Sequence, residues 1–414
     1  MLNKITSHRL FKNASALVIM QLFTYISPFI VLPYLSRALG ADGFGLMVAA
    51  LSLTVLANVC TDFGFNLSAT YLISRKQNQA HYISKIVSVI YLLKLFLLVF
   101  VFLGISVYLF FSANYTILAI VAIYTMVLFQ TFMSPWLFQG IEKMKLITYS
   151  IIVSRMGYVV LILLLVKHKD DYDLALMCNA IATMLACFLA NWLIKKEGFG
   201  YVKPSQRLVK LILLHSSQFF ISRVFYTGSS SIGILMLAGH SSSSSVGFYG
   251  AGEKLYNAFK SLIYPFSQAL YPHMANTGNA KLLLKMILGL SLVMIIPATI
   301  GFIYSEFVLE LLFGVEFRQG SEILRVFILT GFIGFISVFM GYPAFAALKR
   351  VDIANKSVMI SGGFLFFMLI FLYFYNDITA VNVAYSVLIS ECISLSIRVT
   401  MFIKLNRKNE LYGK

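Results

Sequence analysis

Five basic residues fall where the hydrocarbon core of a membrane should be. Lys94, Arg155, Arg223, Lys254 and Lys260 lie within long apolar stretches, against only three acids so placed, Asp62, Glu253 and Glu391. A charge at the bilayer centre costs about 2.5–3.5 kcal/mol on insertion scales, so it persists where it has a task. An excess of cations in such a place attracts phosphate or an acidic sugar. Guanidinium groups add the geometry for two-pronged phosphate contact. A site for cations would carry the opposite sign.

The polar residues around these charges are spaced helically. Glu253, Asn257, Lys260, Tyr264, Gln268 and Tyr271 recur at steps of three and four, which puts them on one helix face, with Lys254 and Ser261 flanking. A face turned to lipid would not keep such a stripe, so it is expected to line a watery cavity. The plainer reading is a Glu253–Asn257–Lys260 network that packs against a neighbour. His215, Gln218, Ser222, Tyr226 and Ser229 form a similar face with Arg223 one position off, and Thr54, Asn58, Thr61 and Asp62 cluster in the same way. The candidate cargo-binding residues are therefore Arg155, Arg223, Lys260, Lys254, Lys94, Asn257, Tyr264 and Gln268. Asp62, Glu253 and Glu391 are candidates either for pairing with these cations or for binding a coupling H⁺ or Na⁺. Arg37 and Arg398 lie nearer span ends, where a long basic side chain is expected to snorkel to the interface.

Twelve stretches long enough to cross a core about 30 Å thick hold these residues. They are read at 14–39, 44–74, 82–111, 116–138, 147–166, 173–194, 209–238, 246–272, 282–304, 323–348, 356–375 and 379–403. Basic residues crowd alternate gaps, from Lys4, Arg9 and Lys12 through Lys195, Lys196, Lys203, Arg207 and Lys210 to the tail Lys404, Arg407, Lys408 and Lys414. Gaps such as Gly40–Gly43 and Gly239–Ser245 are short and poor in Lys and Arg. The positive-inside rule then places both termini in the cytoplasm of a multi-pass protein of the cytoplasmic (inner) membrane. Pro28, Pro33, Pro135, Pro265, Pro272 and Pro343 interrupt spans, as hinges or as static kinks.

Composition excludes several other classes. Hydrophobic residues make up 59% of the chain and charged ones 12%, which is not a soluble balance. The net charge of +17 is spread over separate loops as a topology signal, so no nucleic acid is expected as partner. Cys60, Cys178, Cys187 and Cys392 sit inside spans without metal-like spacing, and the histidines support no catalytic arrangement. Met1–Lys12 is polar and the apolar run after it is too long for a cleavable signal peptide. No GxxxxGK[ST] loop is present, so energy is expected from gradients or another protein, with no cofactor.

The chain also repeats itself. Gly45-Leu-Met-Val-Ala-Ala-Leu-Ser-Leu aligns with Gly247-Phe-Tyr-Gly-Ala-Gly-Glu-Lys-Leu, 202 residues later in a chain of 414. Each segment follows a short outer turn and opens the second span of a half. The expected architecture is all-α and polytopic, with two pseudo-symmetric six-helix bundles, 1–200 (spans 1–6) and 201–414 (spans 7–12). Such halves form a carrier that holds cargo and alternates access by rocking.

Three stretches carry a family likeness: Asn13-Ala-Ser-Ala-Leu with Pro33-Tyr-Leu-Ser-Arg-Ala-Leu-Gly-Ala-Asp-Gly-Phe-Gly; Thr61-Asp-Phe-Gly-Phe-Asn-Leu-Ser-Ala-Thr; and Leu311-Leu-Phe-Gly with Leu324-Arg. With them the whole chain resembles the O-antigen flippases (Wzx type) in the polysaccharide-transporter branch of the multidrug/oligosaccharidyl-lipid/polysaccharide exporter superfamily. These are family-wide apolar patterns and do not specify a sugar. The resemblance implies a V-shaped pair of six-helix bundles. It also implies an undecaprenyl-pyrophosphate-linked oligosaccharide as cargo, moved from the cytoplasmic to the periplasmic leaflet. Its other expected partners are membrane lipids and further membrane proteins of polysaccharide assembly. An O-antigen polymerase, the nearest enzyme, would need a large periplasmic loop, whereas the longest outer gap, Ser305–Glu322, is short and largely apolar. A drug or cation exporter of the same architecture would want an acidic cavity, and has only Asp62, Glu253 and Glu391 for it.

Overall fold

The computed structural model describes the backbone of residues 2–112, 115–278 and 280–412, and the side chains of 30–112, 115–225, 227–278 and 280–407. It is all-helical. In chain order the helices are α1 (Leu2–Asp62), α2 (Phe65–Ser74), α3 (Ala80–Phe111), α4 (Ile117–Thr131), α5 (Pro135–Gly140), α6 (Met144–Leu165), α7 (Tyr172–Lys196) and α8 (Gln206–Arg223). They continue as α9 (Ser229–His240), α10 (Ser243–Thr277), α11 (Ala280–Ile303), α12 (Ser305–Phe313), α13 (Ser321–Phe339), α14 (Tyr342–Ala347), α15 (Asp352–Phe374) and α16 (Ala380–Tyr412). Every apolar stretch read from the sequence lies on one or more of them.

Among the described residues, nine helical segments are long and apolar enough to cross a membrane. The expected spans outside that set are the first, whose side chains before Ile30 lie outside the described residues, and the two that carry polar faces, α8–α9 and α10. The difference from twelve thus falls largely where polar side chains dilute the hydropathy. The protein is multi-pass.

The chain divides into two compact units, 1–39 with 49–231, and 40–48 with 232–414. In the first, α4 and α6 pack on α7, while α2 packs on α5 and α8. Its core gathers Phe65, Ile86, Trp136, Phe138 and Ile212. Helix α8 belongs here, so the packing boundary lies past the repeat boundary expected near residue 200. Ser68 and Ser216 share a hydrogen bond of 2.6 Å between α2 and α8. In the second unit α13 packs on both α10 and α16, and α15 on α16, around Phe335, Phe339, Phe345 and Phe402.

Each unit breaks one span in the same manner. Helix α4 ends at Thr131 and restarts as the short α5 with Pro135 at its first turn. Helix α13 ends at Phe339 and restarts as α14 with Pro343 at its first turn. Proline suits a first helical turn because its missing N–H would have no partner there. Both short helices then close on a residue in the left-handed region, Glu142 (φ 56°) and Lys349 (φ 54°). The next amides reach back to equivalent carbonyls, Lys143 N to Phe138 O (2.9 Å) and Arg350 N to Phe345 O (2.8 Å). By contrast, Pro265 and Pro272 stay inside a continuous α10.

The segments that align in sequence also touch. Within the second unit, a Cβ on Gly45 would overlap the Ser243 carbonyl, and a Cβ on Gly247 would overlap the Ala41 carbonyl. Ala41 and Ser243 are themselves 202 residues apart, so the contact is reciprocal. One turn further, a Cβ on Gly250 would lie 2.8 Å from Val48. Small residues at four-residue spacing let two helix backbones approach this closely in a membrane. The chain reaches the crossing through Gly40, whose φ of 66° and ψ of −176° break α1. Glu316 fixes the new helix start by accepting from Ala41 N at 2.9 Å, and Phe44 meets Phe313 and Phe317 edge-on.

This crossing gives a steric expectation. Gly45→Ala should overpack it and cost on the order of 1–3 kcal/mol. Gly104→Ala on α3, with nothing within 4 Å, should be harmless. Thermal unfolding of the detergent-solubilised protein compares the two. Equal midpoints would mean that the crossing does not matter to stability.

Candidate functional site

The first unit builds a polar cluster inside its span region, and the Thr61-Asp-Phe-Gly-Phe segment creates its geometry. Phe63 (φ 44°) and Gly64 (φ 82°) both take left-handed backbone, ending α1 and starting α2. Gly64 is required for a second reason: a Cβ there would stand 2.6 Å from the Ser216 carbonyl of α8. The Phe63 ring stacks on Phe220, with centroids 4.5 Å apart. This tight turn sets Asp62, the last residue of α1, against Arg223, the last residue of α8, and the two form an ion pair through Oδ2 and Nη1. The carboxylate side chain is 11% exposed and the guanidinium side chain 38%. Arg223 therefore keeps part of its surface for another ligand.

Lys94 completes the group. It is almost fully buried on α3, donates to the Thr131 carbonyl at 2.6 Å, and lies within electrostatic reach of both Asp62 and Arg223. The carbonyl is available because α4 ends at Thr131, which leaves its last carbonyls without helical partners. Thr131 in turn donates to Thr61 at 3.1 Å, and Asn58 bonds to Gln130. Alongside, the Tyr91 hydroxyl meets Asn191 at 2.7 Å and Ser134 at 3.0 Å. Arg223 thus pairs with Asp62, while Lys94 is held on the Thr131 carbonyl of the same unit, in a frame of neutral polar groups. Immediately after Arg223 the chain forms a π-helical turn, Val224–Gly228, a feature frequent at functional sites. The side chain of Tyr226 lies outside the described residues.

Arg155 is half-buried on α6 and makes no hydrogen bond or ion pair among the described residues; Tyr158 stands one turn on. It is not part of the Lys94–Asp62–Arg223 group.

In the second unit the stripe on α10 divides by burial. Glu253 is buried, whereas Asn257, Tyr264, Gln268 and Tyr271 are exposed. Lys254 and Lys260 are half-buried. The Lys260 ammonium donates to the Tyr256 hydroxyl at 3.1 Å and sits 4.9 Å from that ring's centroid. Tyr256 stacks on Phe327 of α13, which holds this cation in place. Glu391 on α16 is half-buried over Gly334 of α13, where a Cβ would lie 3.5 Å from its Oε1.

One expectation is corrected. Arg398 does not snorkel: it is buried within unit 2. Its Nη1 donates to the Ser337 carbonyl (2.6 Å) and hydroxyl (2.8 Å), and its Nε to the Ser357 hydroxyl (2.8 Å). It therefore ties α16 to α13 and α15. The reason is that α16 runs on to Tyr412, so Arg398 lies well inside the helix, opposite small residues that leave room for a guanidinium. Arg37, in contrast, is exposed. Among the described residues no group of His, Cys, Asp and Glu could hold a metal.

Comparison with known proteins now adds to this geometry. A model of the polysaccharide biosynthesis protein family matches residues 10–278. The chain belongs to that family. It is 27% identical over an alignment of 425 positions to a putative O-antigen transporter of Escherichia coli (strain K12), covering 98% of each chain. A putative O-antigen transporter of Shigella dysenteriae is 29% identical over 271 residues, covering 64% of this chain and 67% of that one. Among solved structures, the lipid II flippase MurJ in an inward closed conformation superposes with a TM-score of 0.71 at 14% identity, covering 97% of this chain and 91% of that one. An inward-facing multidrug resistance MATE family transporter of the MOP superfamily gives 0.66 at 13% identity, covering 95% and 99%. At such identities these structures establish the fold alone, which this chain shares with both transporters.

Proposed function

We propose that this polysaccharide biosynthesis family member is an O-antigen transporter. In this reading it is a flippase that moves undecaprenyl-pyrophosphate-linked oligosaccharide from the cytoplasmic to the periplasmic leaflet. The observation that carries the cargo's sign is the Lys94–Asp62–Arg223 group, two cations to one carboxylate within the spans of unit 1. A pyrophosphate supplies the missing negative charge, and a partly exposed guanidinium can grip it with two parallel bonds. The polar, exposed face of α10 suits a hydrated glycan better than hydrocarbon.

The carrier works by alternating access. Its two six-helix halves are 1–200 and 201–414, each carrying intramembrane cations, and both termini are cytoplasmic. The protein is a transporter, not an enzyme. A drug or cation exporter on this fold would want an acidic cavity, and Asp62, one of its three candidate acids, is already engaged by Arg223. Deleting the chain's gene in its native host should stop surface glycan while undecaprenyl-linked repeat units accumulate on the cytoplasmic side. Loss of surface glycan without that accumulation would place the defect upstream and reject the flippase reading.

A further inference from the structure

A groove of about 480 Å³ opens between α3 and α8 in the first unit. Its walls are graded. Leu92 from α3 and Val209, Leu213 and Leu214 from α8 form an apolar trough, while Gln206 and Lys210 stand at one end, with Pro204 at the mouth. The gradient follows from helical spacing. Gln206, Lys210 and Leu214 are four residues apart along one face, so polarity changes to hydrocarbon over about 12 Å of helix. The connecting strap is pinned beside it by Val202 N donating to the Ser88 hydroxyl of α3 at 2.9 Å. Arg207 and Lys203 add exposed cations at the same end, and no acidic side chain lines the groove.

None of the residues assigned above to cargo lines the groove. Its polar end is the start of α8, which the distribution of basic loops places at the cytoplasmic surface. A trough this apolar would not bind a free anion, and a basic rim without carboxylates offers nothing to choline or ethanolamine. Its volume is within the range of single-ligand pockets, and basic pockets between spanning helices on the cytoplasmic side suit anionic headgroups.

We propose that this groove holds one acyl chain of an anionic glycerophospholipid, with its phosphate against Lys210 and Arg207. The lipid is a bound companion of unit 1 and not the transported molecule, so the inference does not depend on the cargo reading. The test uses purified full-length protein, delipidated in detergent and then titrated with phosphatidylglycerol or phosphatidylcholine of identical chains. Bound lipid is counted by native mass spectrometry. Wild-type protein should retain phosphatidylglycerol over phosphatidylcholine, and Lys210→Ala should weaken that retention by about fivefold, the effect of one basic residue near an anionic headgroup. Leu213→Trp should fill the trough and weaken both lipids, while millimolar inorganic phosphate should displace neither. Gel filtration confirms that each variant is folded; if Lys210→Ala is not, Arg207→Gln carries the same expectation. Equal retention of the two lipids, or wild-type retention in the folded variants, overturns the proposal. Displacement of phosphatidylglycerol by equimolar undecaprenyl phosphate also overturns it, because the groove would then be a loading site for polyprenyl cargo.

Discussion

Arg223→Ala should sharply reduce glycan export while the protein remains folded in the membrane. The substitution removes the one guanidinium that both neutralises Asp62 and keeps free surface for a ligand. A lost charge-assisted bond costs about 1.5–3 kcal/mol, or roughly 10- to 100-fold in rate if the contact is kept through the transport step. The amount of the variant in the membrane checks that it is folded. Arg223→Lys should retain part of the export, since it keeps the charge and loses the two-pronged geometry. Asp62→Asn separates the two roles weighed for the carboxylate. If Asp62 only pairs, the variant exports with its gradient dependence unchanged. If it binds a coupling ion, that dependence disappears. Combining Arg155→Ala, Arg223→Ala and Lys260→Ala gives the strongest test. Wild-type surface glycan from the triple variant, at normal membrane levels, would remove these cations from the mechanism.

The fold and the candidate site were legible in the sequence unevenly. Hydropathy located the spans because the bilayer demands long apolar helices, and the intramembrane charges stood out because they are costly there. What hydropathy does not report is how a chain turns between elements. Asp62 and Arg223 are 161 residues apart, and they meet because Phe63 and Gly64 take left-handed backbone, a detail without a periodic signal. Gln130, Thr131, Tyr91 and Asn191, which frame Lys94, carry no sequence signal because each is a single polar residue in an apolar run. Their significance appears once α4 breaks at Thr131 and exposes a carbonyl. The burial of Arg398 escapes the sequence for a related reason. Distance from a span end suggests snorkelling, whereas Ser337 and Ser357 on neighbouring helices decide its burial. A row of serines at helical spacing, Ser390 and Ser394 before Arg398 with Ser357 and Ser361 on α15, was the available clue. Steric complementarity was partly visible: the alignment paired Gly45 with Gly247, and these two segments touch.

The membrane potential alone should drive export. An undecaprenyl-pyrophosphate headgroup carries about two negative charges, and moving one charge through 100 mV is worth about 2.3 kcal/mol. Outward movement with a negative cytoplasm therefore gains on the order of 5 kcal/mol, enough to shift a two-state equilibrium by more than a thousandfold. The empty carrier returns with its basic groups uncompensated, so that step carries positive charge inward and is also downhill. The Lys94–Asp62–Arg223 group sharpens the point, since its net charge is positive before cargo binds and negative or neutral afterwards. No obligatory coupling ion is then required by the energetics. Proteoliposomes with a clamped potential and no pH or Na⁺ gradient should flip the lipid faster as the donor side is made more negative. Arg223→Ala should flatten that response, because without the guanidinium the site no longer holds the charged headgroup. A rate that ignores voltage but follows a pH or Na⁺ gradient would overturn this account and move Asp62, Glu253 and Glu391 to the centre of the mechanism as ion sites.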